Sequence, residues 1–249
     1  MVFGWRIAVC SLVCWLSPAA GAAQFETETL RVAVLDDAPP LGYRDAAGEL
    51  VGFSVSLMQA LCSEMTVRCV FEAVKLEHLI DDMAAGHFDV AAVGLVVTPE
   101  RRQRLVFTKQ VYRSFTLFFA PEGVKPGKPG VRISTFKGSA QEQYLKAQGW
   151  DLIGAQTDEQ MIEQLRAGVA KACVVPLMTG LSLQKNNQFQ RLGLKYEVLQ
   201  ATELENNASF AIAPQKAGLK QPLDKALDNI KRNGVFDRIN SQFLPLRID

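Results

Sequence analysis

Two runs of alternating strand-like and helix-like segments, parted by a stretch rich in proline and glycine, restrict this chain more than any other feature. In the first run Leu30–Leu35 reads as a buried strand and Asp36 to Pro40 as the loop leaving it. Ser54 then opens a helix with Leu57, Met58, Leu61 and Met65 on one face. A strand at 70–74, a helix carrying Leu79, Ile80 and Met83 with Gly86 after it, and a strand at 89–93 complete the run. With the helix start at Thr98 the order β-α-β-α-β-α predicts an α/β unit with a largely parallel sheet. Phe115–Ala120 is a further apolar strand, and residues 121–130, with Pro121, Pro126 and Pro129 among glycines and lysines, mark the domain boundary. The second run follows: strand 131–135, a helix from Ser139, strand 152–154, a helix over 157–167 and strand 172–175. A late strand at 208–213, a helix over 219–233 stopped by Gly234, and a helix at 236–243 close the chain. If the late strand returns to the first unit, the fold has two lobes, each with a mixed sheet, and two interdomain crossings. Lobe one is then 24–120 plus 208–249, and lobe two 121–207.

The N-terminus has the form of a secretory signal peptide over residues 1–23: one charge at Arg6, an apolar core from Ile7 to Leu16, and small residues from Ala19 to Ala23. That core is shorter than the roughly 20 residues of a spanning helix, so export to the periplasm is expected rather than membrane embedding. The formal net charge is +1, and Arg6 would leave with the leader. A neutral chain without a basic run carries no electrostatic footprint for nucleic acid. Outside the leader stand Cys62, Cys69 and Cys173. In an oxidising compartment Cys62 and Cys69 are expected to bond, the alternative being two buried thiols, while Cys173 reads as a small buried hydrophobe. His78 and His87 have no cysteine near them, so neither a metal nor a cofactor is expected.

The segment from Gly94 through Val96 to Thr98-Pro99-Glu100-Arg101 is an apolar strand that delivers an arginine into the first turn of a helix. Thr98 suits the N-cap and Pro99 the first helical position, so backbone N–H groups and the Arg101 guanidinium can converge on one small anion. Ser139-Ala140-Gln141-Glu142 is a capping box and gives a second preorganised helix start; Thr157-Asp158-Glu159-Gln160 is another box of the same form.

Taken together, these residues resemble the type II periplasmic solute-binding proteins of polar-amino-acid ABC transporters. The resemblance runs from Leu30 to about Pro245. It rests on Leu30-Arg31-Val32-Ala33-Val34, Pro39-Pro40-Leu41-Gly42-Tyr43, the stretch from Gly48 to Leu57, Phe88-Asp89-Val90, Thr98 to Arg101, and Gly234 to Ile239. It implies a flytrap fold, closure by a hinge, no catalysis, and delivery of ligand by a monomeric protein to an inner-membrane permease. The Cys62 to Cys69 spacing is similar to a disulfide of the histidine-binding branch. Arg101 matches the arginine that pairs with the ligand's carboxylate, Ser139 and Gln141 the second lobe's polar groups, Phe136 the pocket wall, and Leu76 a first-lobe contact to the ligand side chain.

Other positions depart from that pattern. Val96 stands where a hydroxyl is usual, Ala38 where an aromatic often stacks, and Leu35 where an acid is common. Pro176 replaces the aspartate that holds the ligand's ammonium, which leaves a buried cation without its counter-charge. Asp36, Asp37, Glu203 or Glu205 are the candidates to supply one. The expected function is capture of a small carboxylate ligand for an ABC importer. The competing expectation is an accessory or signalling protein of the same fold with an altered site. Relatives resembling dehydratases need a general acid in the cleft, and no position assigned to the cleft holds one, so an enzyme is not expected.

Overall fold

The computed structural model describes residues 1, 28–204, 206–244, 247 and 248; the expected signal peptide and Glu205 lie outside the described residues. The first run begins with β1 (Thr29–Val34) and a three-stranded ribbon of β2 (Asp37–Ala38), β3 (Gly42–Arg44) and β4 (Leu50–Val51). It continues through α1 (Phe53–Met65), β5 (Arg68–Ala73), α2 (Leu76–Ala85), β6 (Val90–Val96), α3 (Pro99–Arg104), β7 (Val106–Phe107) and β8 (Tyr112–Ser114). The second run comprises β9 (Thr116–Ala120), β10 (Ile133–Phe136), α4 (Ala140–Ala147), β11 (Leu152–Ala155), α5 (Asp158–Arg166) and β12 (Ala172–Pro176). After it come α6 (Leu177–Leu183), α7 (Asn187–Gln190), β13 (Lys195–Val198), β14 (Asn206–Ile212), α8 (Lys220–Arg232) and α9 (Val235–Phe243).

Two mixed sheets result. The first has the order β5-β1-β6-β14-β7, with β8 also on β14; β1, β5 and β6 are parallel, and β14 runs antiparallel to β6, β7 and β8. The second has the order β11-β10-β12-β9-β13, with β9 antiparallel to both its neighbours. The chain passes from the first sheet to the second between Ser114 and Thr116, and β14 joins the first. Thr116–Ala120, which the sequence reading sets at the end of lobe one, hydrogen-bonds to β12 and β13 in the second sheet. All five of its residues are buried there, so it is an interior strand rather than an outlet to the linker.

The core of the first run forms where the apolar face of α8 (Leu223, Ala226, Leu227, Ile230) meets α1, α9 and β14. Phe53 anchors it with edge-to-face contacts to Tyr112 and Phe236, both at 5.9 Å between ring centres. This placement explains why α1 begins at Phe53 rather than being capped by Ser54. The cap is Gly52, at φ 125°, and a Cβ there would lie 2.6 Å from the Leu41 carbonyl oxygen. Ser54 is therefore inside the helix, 2 % exposed, with no partner for its hydroxyl.

Cys62, near the end of α1, bonds to Cys69 in β5, across the turn where Thr66 adopts the left-handed conformation. The Cys173 thiol is buried and free. A loop this short removes modest entropy from the unfolded chain, so replacing both cysteines by serine is expected to cost about 2 kcal/mol. Urea denaturation of the double variant checks this, and an unchanged midpoint would contradict it.

Candidate functional site

One cleft, with a volume of about 110 Å³, gathers strand ends and helix starts from both sheets. Every ligand-contact candidate from the sequence lines it: Arg101, Gly94, Val96, Leu76 and Ala38 come from the first run, and Ser139, Gln141, Phe136 and Pro176 from the second. Strand ends and helix starts are where an open α/β sheet presents free backbone groups and side chains.

Arg101 sits on the third residue of α3. The helix is held by Thr98, whose hydroxyl accepts the Arg101 backbone N–H at 3.2 Å. Its side chain is 2 % exposed. One guanidinium nitrogen donates to the Val96 carbonyl at 2.9 Å and the other to the Gly138 carbonyl at 3.0 Å, while Nε is buried without a partner among the described residues. Burial lowers its pKa to about 10, and the nearby Glu100 opposes that shift. The Val96 carbonyl accepts from Arg101, and the Val96 side chain joins the apolar cluster of the second sheet that includes Phe118 and Val174.

Gly138 brings the two sides together. At φ +74° it lies so close to α2 that a Cβ would fall 2.6 Å from Glu77 Cα and 2.7 Å from the Leu76 carbonyl oxygen. A second tie runs from the Gln156 amide to Glu77 Oε1 at 2.6 Å. The Ser139 hydroxyl caps α4 by accepting from Glu142 N–H at 3.0 Å, which leaves its own proton to donate. The expected box closes one residue early, because the Glu142 carboxylate accepts from the Gly138 N–H at 2.8 Å. Gln141 is buried, with its amide nitrogen donating to the Thr116 hydroxyl at 3.0 Å. At Gly94 a side chain would run into the Tyr112 hydroxyl, which keeps that stretch of β6 bare.

The family profile of the bacterial extracellular solute-binding proteins, family 3, matches residues 30–245. The chain belongs to that family. Over 97 % of its length this solute-binding protein is 24 % identical to 97 % of the lysine/arginine/ornithine-binding periplasmic protein of Escherichia coli (strain K12). Its fold is similar to an ancestral arginine-binding protein bound to arginine, with a TM-score of 0.74 at 24 % identity over 86 % of this chain and 97 % of that one. A histidine kinase sensor domain with similarity to periplasmic binding proteins gives 0.77 at 19 % identity, covering 90 % and 99 %.

Of the acids suggested as replacements at Pro176, the solute-binding protein uses Asp36 in bridges to Arg44 and Lys75, at 3.3 and 3.6 Å. Asp37 lines the cleft but is paired with Lys75 at 3.2 Å. Glu203 accepts from its neighbour Thr202 outside the cleft lining, and Glu205 is not described. The acid the sequence reading overlooked is Asp158, first residue of α5, which lines the cleft. Burial raises its pKa from 3.8 to about 7, assisted by Glu159 beside it and Asp37 facing it. The premise that the cleft holds no acid able to carry a proton is corrected by this residue. Its signal was available: Thr157 caps a helix that directly follows a strand end, as Ser139 does. Ser54, Gln156 and Thr179 also line the cleft and were not foreseen.

Two outcomes follow for the unliganded protein. Gly138→Ala puts a side chain against backbone and adds left-handed strain of about 1–2 kcal/mol, so the two sides should stand apart and small-angle scattering should record a larger radius of gyration. An unchanged radius would contradict the close approach. Between about pH 4 and pH 7 the folded protein holds a proton on Asp158 that the unfolded chain has lost. That stabilising contribution is complete below 3.8 and gone once the pH has risen through about 7. Asp158→Asn should therefore gain in melting temperature relative to wild type as pH rises from about 5 to about 8; a constant difference would refute the shift.

Proposed function

We propose that this protein captures a small carboxylate-bearing solute in the cleft and hands it to an inner-membrane ABC permease, without chemistry on the ligand. The observation that carries this is the Arg101 guanidinium: 2 % exposed, held by two neutral carbonyls, with Nε unpartnered. A cation removed from water and lacking a counter-charge costs several kcal/mol, and a carboxylate with two oxygens is the group that relieves it best. Ser139, whose hydroxyl keeps a proton to donate, lines the same cleft and suits the same anion. The cap that holds Arg101 and the cap that holds Ser139 are both made within their own helices, so the receptor is preorganised.

In this reading the lobes are 28–114 with 206–248, and 116–198, divided as the sheets divide. Closure places Gly138 against Leu76 and Glu77. Residues 1–23 act as the export leader, which puts the monomeric protein in the periplasm; no described helix is long and apolar enough to cross a membrane. The transporter partner is supported by membership of the family and by relatives such as a putative ABC transporter arginine-binding protein of Escherichia coli (strain K12).

Thermal shift of the exported form against amino acids, keto acids and dicarboxylates tests the reading. A ligand at about a hundred times its dissociation constant should stabilise wild type by about 2.7 kcal/mol. Arg101→Ala should abolish the shift while the circular dichroism spectrum is retained. Absence of any shift in wild type, or an equal shift in the variant, would favour the accessory role over ligand capture.

A further inference from the structure

The carboxylate receptor accounts for one side of the cleft and leaves Asp158 unused. This residue follows β11, whereas Pro176 ends β12, and the strand order β11-β10-β12 puts the two on opposite sides of the β10 end at Phe136. The acid is thus present in the same sheet, displaced by two strands. Only burial and neighbouring negative groups act on its carboxylate, with no hydrogen bond and no cation among the described residues. Glu159 stands beside it on α5, Asp37 faces it from β2, and the buried Cys173 thiol stands on β12. The cations on that side are engaged: Lys75 holds Asp37 and Asp36, and Arg44 holds Asp36. In the same cleft Ser54 keeps a hydroxyl that is 2 % exposed and unpartnered, and Arg101 keeps its unpartnered Nε, so the polar lining is incomplete without a ligand.

We propose that Asp158 is the counter-charge for a nitrogen cation on the ligand, so that the cleft takes a small zwitterion with its carboxylate at Arg101 and its cation between Asp158 and Asp37. This rests on the anion-receptor reading given above. Asp37, already paired with Lys75, and Asp158, which has no cation of its own among the described residues, come from the two sides of the cleft. A ligand cation held by Asp158 and flanked by Asp37 is contacted from both sides only in the closed form, which is the differential contact that biases a closing equilibrium.

The test measures wild type, Asp158→Asn, Asp158→Glu and Arg101→Ala by isothermal titration at pH 7 in two buffers of different ionisation enthalpy. Three probe sets are used: L-alanine and L-glutamine, with the cation at the α-carbon; 5-aminopentanoate and 4-guanidinobutanoate, with it at the chain end; and pyruvate and succinate, which carry no nitrogen. The expected result is that wild type binds from the first or second set in preference to the third, which also identifies where the cation sits. Binding should expel about half a proton, since Asp158 is about half protonated at this pH. Asp158→Asn should weaken binding about 30-fold or more and abolish the proton release, and Asp158→Glu should restore part of both. Nitrogen-free acids binding wild type as tightly as the zwitterions, with loss in Arg101→Ala, would overturn this inference and leave the carboxylate reading standing. Binding and proton release in Asp158→Asn equal to wild type would overturn it too. A wild-type protein that binds nothing in any set would overturn both.

Discussion

A guanidinium with almost no access to water needs acceptors from somewhere, and Arg101 draws them from two sheets at once. The Val96 carbonyl ends β6 in the first sheet, and the Gly138 carbonyl stands between β10 and α4 in the second. The same contact explains the glycine at 138, which has to touch α2 backbone, and the capping by Thr98, which sets the arginine on the inner side of a one-and-a-half-turn helix. Other features of the cleft are arranged around this bond: the bare strand at Gly94, the Gln156 to Glu77 tie, and a serine hydroxyl left with a proton to give. The carbonyls satisfy hydrogen bonds without neutralising charge. The arrangement is closed in geometry and open in electrostatics.

The acids follow the same logic from the other sign. Asp36 and Asp37 are near the cleft but sit on an exposed ribbon where Lys75 and Arg44 can reach them. Asp158 is held at a helix start between strand ends, where no lysine or arginine among the described residues arrives. A carboxylate at the first turn of a helix gains from the free N–H groups there, and burial works against that gain. Burial prevails, and the carboxyl is held well above the ordinary carboxylate range.

Much of this was legible in the chain. Helix α2 with its Gly86 stop, the Thr98 and Ser139 caps, the Arg101 position and the strand-to-helix order could be read because each depends on residues close in sequence. The pairing of Thr116–Ala120 is not legible in the chain, because an apolar strand does not announce which sheet will take it; that is decided by β12 and β13, far along the chain. That Ser54 lies inside α1 rather than capping it is not legible either, because the demand for Phe53 in the core, and for Gly52 at positive φ, comes from Leu41, Tyr112 and Phe236. Asp158 was visible as part of a capping box, but its exposure to the cleft and isolation from cations are properties of the assembled sheets.

The position of β14 bears on how the chain reaches this state. The second sheet is built from the single stretch 116–198 and can pair all its strands as soon as that stretch is available. The first cannot: its β6 edge waits for residues 206–212, which then bridge β6 to β7 and β8. Since long-range pairing is slow to close, the half containing Arg101 is set to finish last. A chain emerging from its amino end would carry an unpaired β6 edge through most of its synthesis, and truncation anywhere before 206 would leave that edge exposed to other chains.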